Sequence, residues 1–177
     1  LHAANQGGAL DVLGLPRLGD YASACDGSTT GEAYRIRDAV YQAVSERLPL
    51  GEDLAIINTG TIDPFLLLWG RKKISYLGFK GTRPAIPASS LSAISPRRYE
   101  QAMSWKVVVA GLCSRLESAV APPGILCGKS AVQLFPMKDI CPYALSLLLN
   151  SRLANDIYVG IFGMRSMGKK AYNIGPR

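Results

Sequence analysis

The stretch that decides the fold is KVVVAGL, residues Lys106–Leu112. Its three consecutive valines are β-branched, and β-branched side chains favour strands because they pack well on a pleated surface. The run therefore predicts a buried strand in the second half of the chain. A second short apolar run, Leu54–Asn58, predicts another strand, and the turn-forming residues that follow it, with Asn58, Thr59 and Thr61 among them, are expected to hold a turn.

Helix signals lie on both sides of the central strand. Thr29 and Glu32 have the spacing of a capping box, in which each side chain satisfies a free backbone N–H at a helix start. Apolar spacing and prolines at first turns predict three helices: Glu32–Glu46, Pro96–Met103 and, opened by Pro142, Tyr143–Phe162. Further strands are expected at Leu18–Cys25 and within Gly124–Phe135, where two short strands form a hairpin around Gly128-Lys129.

Periodicity fades between Trp69 and Ser95, where prolines, serines and glycines predict loops. Strands and helices alternate irregularly, which predicts an α+β domain with a mixed sheet and flanking helices. The Gly- and Ala-rich stretch of residues 1–17 is expected to be a linker or tail, and residues 18–177 one domain. Both ends of the chain look like cuts through a longer polypeptide.

Cysteine spacing and hydropathy bear on the compartment. The four cysteines include no C-x-x-C pair, which indicates reduced, mostly buried thiols rather than a zinc site or a secreted disulfide framework. The longest apolar runs are too short to span a bilayer, and no signal peptide is visible. We therefore expect a cytoplasmic protein with no membrane partner.

Charge divides the chain into two parts. Residues Leu1–Asp63 hold four basic and nine acidic side chains, whereas Pro64–Arg177 hold sixteen basic and four acidic ones, so the net charges are −5 and +12. A basic part of this kind indicates a polyanionic partner, and nucleic acid is the first candidate because Lys and Arg neutralise phosphates. The alternative is a basic surface that is merely solvated.

The sequence lacks the residues that several kinds of catalytic site require. The one histidine is His2, in the expected tail, which argues against Ser-His-Asp and Cys-His sites. Gly124–Ser130 resembles a phosphate-binding loop, but it has three residues between its glycines instead of four, and a strand is expected after it instead of a helix. Ala121–Gly124 has the two prolines of an adenine-methyltransferase signature without its polar first residue or aromatic last one.

Three stretches in order resemble a known module. The first is Asn58–Phe65 followed by Leu68-Trp69-Gly70, the second is Lys106–Leu112 with Leu116-Glu117-Ser118 and Gly128-Lys129-Ser130, and the third is Leu147–Leu153. Together they resemble the TaqI-like C-terminal specificity domain, the target-recognition domain of N6-adenine DNA methyltransferases and single-chain restriction-modification enzymes. The resemblance covers roughly residues 18–177.

The resemblance implies a division of labour. In that family the methyltransferase domain precedes this module, binds S-adenosylmethionine and carries out the reaction. This chain would then be no enzyme on its own and would hold no cofactor. It would bind double-stranded DNA, read bases in the major groove and contact its own methyltransferase catalytic domain.

Cations in expected loops and helix ends are the candidate DNA-binding residues, since Arg and Lys contact both phosphates and base edges. They are Arg71, Lys72, Lys73, Lys80, Arg83, Arg97, Arg98, Lys129, Arg165, Lys169 and Lys170. Trp69 and Trp105 are expected in or at the edge of the core rather than as stacking platforms.

Two other functions stay open from the sequence. One is a non-enzymatic protein-interaction domain that docks through the helix Tyr143–Phe162 on a catalytic subunit, for which an exposed apolar patch would be the mark. The other is an enzyme that binds a nucleotide at the Lys129 loop.

Overall fold

The computed structural model describes residues 17–48, 50–162 and 172–173, which form an α+β domain as expected. The α-helices are α1 (Thr30–Arg37), α2 (Ala88–Ile94), α3 (Pro96–Ala102), α4 (Pro142–Leu149) and α5 (Arg152–Phe162). The first seven strands are β1 (Ala22–Asp26), β2 (Tyr41–Gln42), β3 (Asp53–Ile57), β4 (Ile62–Asp63), β5 (Leu66–Leu67), β6 (Ile74–Tyr76) and β7 (Phe79–Gly81). The others are β8 (Pro84–Pro87), β9 (Lys106–Ala110), β10 (Leu112–Cys113), β11 (Ser118–Ala121), β12 (Ile125–Cys127), β13 (Ala131–Pro136) and β14 (Tyr172–Asn173).

Two four-stranded sheets form the centre of the domain. One is antiparallel, with the order β1-β13-β9-β11 and the predicted KVVVA strand in its interior. The other has the order β12-β3-β8-β2 and is mixed, because β12 runs parallel to β3 while β8 runs antiparallel to it. The pairs β4–β5, β6–β7 and β10–β14 form small two-stranded sheets beside them.

The buried side chains form three clusters, which fill the spaces between four layers of secondary structure. Alternate residues of the two sheets meet between them, and small residues such as Ala110, Ala119 and Ala131 let the sheets approach closely. The opposite face of the mixed sheet packs on α1, α2, α3 and the β6–β7 hairpin. The opposite face of the antiparallel sheet, with Val107 and Val109, packs on Leu145 of α4. The order of layers is therefore helices, mixed sheet, antiparallel sheet, helix.

The loop prediction for residues 69–95 was wrong. This region contains β6, β7, β8 and α2, and β8 is an interior strand of the mixed sheet. Its strands have only three or four residues, too few for a visible period. Prolines stand at both ends of β8, where Pro84 and Pro87 interrupt less of the hydrogen bonding than they would in its middle.

The first predicted helix is shorter than expected. The capping box is confirmed, since the Glu32 N–H donates to Thr29 Oγ1 at 3.2 Å and the Thr29 N–H donates to Glu32 Oε2 at 2.8 Å. The helix ends at Arg37 instead of Glu46 because Tyr41 and the next residue pair with β8 at the edge of the mixed sheet. Tertiary pairing here outweighs the helical spacing of the alanines and valines.

The two strands expected within Gly124–Phe135 are confirmed, but the hairpin is wrong. β12 pairs with β3 in the mixed sheet, whereas β13 pairs with β1 and β9 in the antiparallel sheet. The Gly128–Ser130 segment therefore crosses from one central sheet to the other. A strand and not a helix follows Ser130, as expected, so the loop lacks the helix N-terminus that a phosphate-binding loop requires.

The last predicted helix is interrupted. It consists of α4 and α5, separated at Asn150 and Ser151. The Asn150 side chain bonds both main-chain groups of Ser118: its Oδ1 accepts from the N–H at 2.9 Å and its Nδ2 donates to the carbonyl at 2.8 Å. The side chain thereby ties the end of α4 to the start of β11.

Four further expectations from the sequence can be compared with the structure. All four cysteines are free; Cys113 and Cys127 are buried, Cys25 is half-buried and Cys141 is exposed. The helix Pro96–Ala102 is confirmed. Within the described residues, no helix is both long and apolar enough to cross a membrane. The expected tail of residues 1–17 lies outside the described residues except for Arg17.

Candidate nucleic-acid interface

Thr59 joins the two central sheets. Its hydroxyl donates to the carbonyl of Ser130 and accepts from the N–H of Gly111 at 3.1 Å, and its own N–H donates to Ser130 Oγ at 3.3 Å. The first two of the three sequence stretches thus meet at one side chain. The third stretch meets the second where Asn150 bonds Ser118. These bonds give the three stretches a structural role, because they hold the two central sheets together and attach α4 to β11.

Asn58 links this joint to the β6–β7 hairpin. Its Oδ1 accepts from the N–H of Gly60 at 3.0 Å and its Nδ2 donates to the Ser75 carbonyl at 3.3 Å. The expected turn is a 3₁₀ turn, Thr59–Thr61, and the N–H of Asn58 donates to Thr61 Oγ1 at 3.0 Å. The turn predicted from the sequence is therefore confirmed, and it also positions a hairpin that the sequence prediction missed.

A cleft of about 270 Å³ opens between the hairpin and the Gly128–Ser130 crossover. Its lining residues come from α1, the Asn58 turn, the hairpin and the crossover: Ala33, Asn58, Ser75, Tyr76, Leu77, Lys129 and Ser130. Gly128 lets the hairpin approach, because a Cβ there would lie 3.1 Å from Tyr76 Cε2 and 3.2 Å from the Ile57 carbonyl oxygen. The lining combines apolar side chains with the ammonium of Lys129 and with hydroxyl and amide groups.

Exposed cations lie at this cleft, on the hairpin that forms one part of it and in the residues just before that hairpin. Lys129 lines it, and Lys80 is the direct cross-strand partner of Ser75, so both side chains project from the same face of the hairpin. Lys73 immediately precedes β6, and Arg71 lies two residues before Lys73. All four cations are exposed and make no ion pair with a described residue. Their charge is therefore free to meet an anion.

Two predicted cations are partly neutralised. Lys72 Nζ lies 3.9 Å from Asp63 Oδ1, and both side chains are about half exposed, so this pair contributes little to stability. Arg83 is half-buried: its Nη1 donates to the Val44 carbonyl at 3.1 Å and to Glu46 Oε1 at 3.2 Å. Arg83 consequently anchors the loop between β2 and β3 more than it faces solvent.

Arg98 lies in the interior, contrary to its expected place on an exposed helix surface. Its side chain is 7% exposed, its Nη2 is 3.0 Å from Glu32 Oε2, and its Nη1 donates to the Asp26 carbonyl at 2.8 Å. Burial would raise the pKa of Glu32, but hydrogen bonds led by that from Arg98, with Thr29 and Ser95, lower it from 4.5 to about 2. Arg98 therefore connects α3 to α1 and is left out of the interface.

The remaining predicted cations divide into two groups. Arg97 is exposed at the start of α3, with no contact that links it to the cleft. Arg165, Lys169 and Lys170 lie outside the described residues.

Trp69 is buried, and its Nε1 donates to the Pro84 carbonyl at 2.9 Å, whereas Trp105 is half exposed at the edge of the domain.

One cation of the basic part is removed from the surface altogether. Lys106, the first residue of the central strand, is fully buried, and its Nζ donates to the carbonyls of Gln101, Ala102 and Ser104 at 2.9, 3.3 and 3.1 Å. Burial lowers its pKa, while the nearby Cys127 and Cys25 raise it. The lysine adds a hydrogen bond to carbonyls at the end of α3 and just beyond it, of which those of Gln101 and Ala102 also accept backbone N–H groups.

The sequence prediction missed the hairpin side of the cleft. Ser75, Tyr76 and Leu77 lie in the region assigned to loops, although a signal was present: Ile74 and Tyr76 alternate with polar residues, and Leu77-Gly78 separates them from Phe79. Two short runs joined by two residues that end in Gly are typical of a hairpin.

A second surface is apolar. On α4, Tyr143 and Leu147 are 63% and 64% exposed at i,i+4 spacing, and on α5 Leu153 and Ile157 are 68% and 49% exposed at the same spacing. Phe65, at the tip of the β4–β5 hairpin, is also exposed, and its N–H donates to the Ser118 carbonyl that Asn150 and Ser146 also bond. We call these residues the apolar surface.

The chain matches no protein-family model and no curated protein. Among the described residues, no group of three or more His, Cys, Asp or Glu side chains is placed to hold a metal ion.

Proposed function

We propose that this chain is the DNA sequence-recognition module of an N6-adenine methyltransferase of the restriction-modification type, with a TaqI-like specificity fold. Methyl transfer and S-adenosylmethionine binding belong, in this proposal, to a catalytic domain outside the chain. The observation that carries it is that Lys129 in the cleft, Lys80 on the adjoining hairpin and Lys73 just before that hairpin are exposed and form no ion pair with a described residue.

The electrostatics of the cleft support a polyanionic partner. A lysine with no acidic neighbour costs little to bring to a phosphate, and each such contact releases condensed counterions. Lys80 and Lys129 project from two different elements, so they can contact phosphates at two positions along a backbone. The hairpin itself is a two-stranded ribbon, a shape that the major groove of DNA accommodates.

Duplex binding at several salt concentrations tests the proposal. We expect log K to fall linearly with log salt concentration, with a slope of several units at roughly 0.9 per phosphate contact. The double variant Lys80→Ala/Lys129→Ala should bind more weakly at low salt and reduce the slope by about 2. Affinity that does not respond to salt would rule out phosphate contact.

Lys138→Ala is the matched control for Lys129→Ala, because the two lysines lie beyond opposite ends of β13. Lys138 is exposed beyond the far end of β13, and the six residues of that strand separate it from Lys129 by about 20 Å. Lys138→Ala removes the same charge from the chain as a whole. Equal losses for Lys138→Ala and Lys129→Ala would show that net charge, not the cleft, determines binding.

A second function is favoured by the apolar surface. We infer that α4 and α5 dock on a catalytic methyltransferase domain, because large exposed apolar areas mark protein contacts. The paired substitutions Leu147→Asp and Leu153→Asp should abolish co-purification with that domain and leave duplex binding by the isolated chain unchanged. Retained co-purification, or a self-association lost in the same variant, would refute this docking.

A further inference from the structure

A second cleft lies at the opposite ends of the strands that lead to the first. The parallel strands β3 and β12 end at the cleft beside Lys129, whereas Asp53, which begins β3, and Gly124, which precedes β12, line the second cleft. At about 3.3 Å per residue, the two ends of β3 are about 13 Å apart. We call this second cleft the acidic groove; it is lined by residues 51–54, 87–89, 99, 103, 123 and 124.

One part of the lining of the acidic groove is apolar. Met103, just beyond α3, is 44% exposed, and Tyr99, one turn earlier, is half-buried. Pro87 and Pro123 add two rings that have almost no rotamer freedom to lose when a ligand covers them. The volume of about 580 Å³ lies within the range of roughly 300–1,000 Å³ that is typical of ligand sites.

The other part of the lining carries two carboxylates with no cation to balance them. Glu52 is exposed and Asp53 is half-buried, and neither forms an ion pair with a described residue. The Tyr41 hydroxyl donates a hydrogen bond to Asp53 Oδ2. Burial, together with the hydrogen bond and charge of Asp53, raises the pKa of Tyr41 to about 12, so the tyrosine stays protonated and keeps this carboxylate oriented. The groove therefore attracts a cation and repels a phosphate.

Arginine is the cation that this combination favours. Its guanidinium donates two parallel hydrogen bonds to a carboxylate and stacks on an aromatic ring such as that of Tyr99, whereas the lysine ammonium is more strongly hydrated and has no planar fork. Arginine alone would leave the apolar part of the lining uncovered, so apolar neighbours complete the fit. A protein segment provides both features together.

We propose that the acidic groove docks a segment of a partner protein in which an arginine lies between apolar residues, with the guanidinium at Glu52 and Asp53 and the apolar side chains against Met103 and Pro123. Glu52 and Asp53 belong to the acidic first part of the chain, which the proposed DNA contacts do not use. The inference goes beyond the proposed function and does not depend on it, because the groove and the cleft beside Lys129 lie at opposite ends of β3 and β12.

Fluorescence anisotropy with three labelled peptides tests the docking: SLRLS, the same peptide with citrulline in place of arginine, and SSRSS. Citrulline keeps the shape of arginine without its charge. We expect the citrulline peptide to bind about tenfold more weakly than SLRLS, since hydrogen bonds between charged groups are lost. We expect SSRSS to bind several-fold more weakly, since its serines bury no apolar surface.

Removal of charge from the groove supplies the matched variants. Glu52→Gln should weaken SLRLS binding about threefold at an unchanged melting temperature, because the exposed Glu52 side chain has no ion pair with a described residue to lose. The double variant Glu52→Gln/Asp53→Asn should bind SLRLS and the citrulline peptide equally. Asp26→Asn is the control: Asp26 is exposed opposite Val132, at the crossover end of the antiparallel sheet, so its loss should leave SLRLS binding unchanged.

Two results would overturn the docking outright: no binding of SLRLS at millimolar concentration, or equal affinity of the unaltered chain for SLRLS and the citrulline peptide. Competition by N-acetylarginine amide at the same concentration as SLRLS would overturn it in favour of a small organic cation. A dimer in sedimentation that Glu52→Gln dissociates would overturn it in favour of self-association. The proposed DNA binding is measured separately by duplex titration and stands or falls independently of these results.

Discussion

The buried ion pair between Glu32 and Arg98 should make the stability of this domain depend on acidity. Glu32 lies in the first turn of α1, Arg98 belongs to α3, and Oε2 and Nη2 lie 3.0 Å apart with side chains only 15% and 7% exposed. Ser95 Oγ also donates to Glu32 Oε1 at 2.9 Å. Protonation of the carboxylate would leave the guanidinium buried with its charge uncompensated.

The magnitude follows from the pKa of Glu32. Hydrogen bonds outweigh the effect of burial and lower this pKa from 4.5 to about 2. At 1.36 kcal/mol for each tenfold change in proton affinity, the folded state gains roughly 3 kcal/mol from the ionised form. Because the pKa is lower in the folded state, this stability is present above pH 4.5 and is lost as the pH falls toward 2. Roughly 2 kcal/mol of it should be gone at pH 3.

Urea unfolding of the chain and of Glu32→Gln, followed by tryptophan fluorescence, measures this loss. At pH 7 we expect Glu32→Gln to be less stable by about 3 kcal/mol, since it leaves Arg98 without its counter-charge. Gln does not titrate, so the difference between the two proteins should narrow by about 2 kcal/mol at pH 3. A difference that stays constant between pH 7 and pH 3 would refute the role given to this pair.

Three further substitutions or labelling experiments test the architecture. Asn150→Ala should lower the free energy of unfolding by about 1–3 kcal/mol, because it leaves the N–H of Ser118 at the start of β11 unpaired, while the Ser118 carbonyl keeps its bonds from Phe65 and Ser146; an unchanged free energy in urea unfolding would contradict this. Gly27→Ala places a Cβ 2.2 Å from a backbone oxygen and should destabilise the fold strongly, whereas Gly31→Ala meets nothing within 4 Å at the start of α1 and should be neutral or stabilising by up to about 1 kcal/mol in thermal unfolding. Cys141 should react with a thiol reagent at pH 8 in the native protein, and Cys127 should not, because burial raises its pKa to about 12; mass spectrometry of the labelled chain reports both sites, and native labelling of Cys127 at the rate of Cys141 would contradict the burial.

Local signals in the sequence predicted elements, but they could not predict which elements meet. The valine run, the capping box at Thr29 and the proline at the start of α3 each depend on residues a few positions apart, and all three were confirmed. The hairpin at Gly128 failed because β12 pairs with Asp53–Ile57, about seventy residues earlier in the chain. Pairing over such a distance depends on the packing of both sheets, which no local pattern contains.

The candidate site was likewise predictable only where it depends on residue type and not on long-range contacts. Residue type alone indicated cations, and the structure leaves Lys80 and Lys129 exposed beside one cleft. Residue type misjudged Arg98, because a glutamate sixty-six residues earlier in the chain pairs with it in the interior. A buried cation is recognised only when its partners are known.

The joint at Thr59 places the two proposed surfaces in a fixed relation. Thr59 bonds Ser130 at the edge of the cleft, and Phe65, six residues later, bonds Ser118 beside the apolar surface. The turn and the short β4 strand that connect these points are hydrogen-bonded at both ends, so they leave little freedom between the surfaces. If DNA binds the cleft and a catalytic domain binds the apolar surface, this joint determines how far the target base lies from the methyl donor. Thr59→Val keeps the shape of the side chain but removes the hydroxyl that bonds the Ser130 carbonyl and the Gly111 N–H, so it should impair methylation by the assembled enzyme more than it weakens either binding step measured alone.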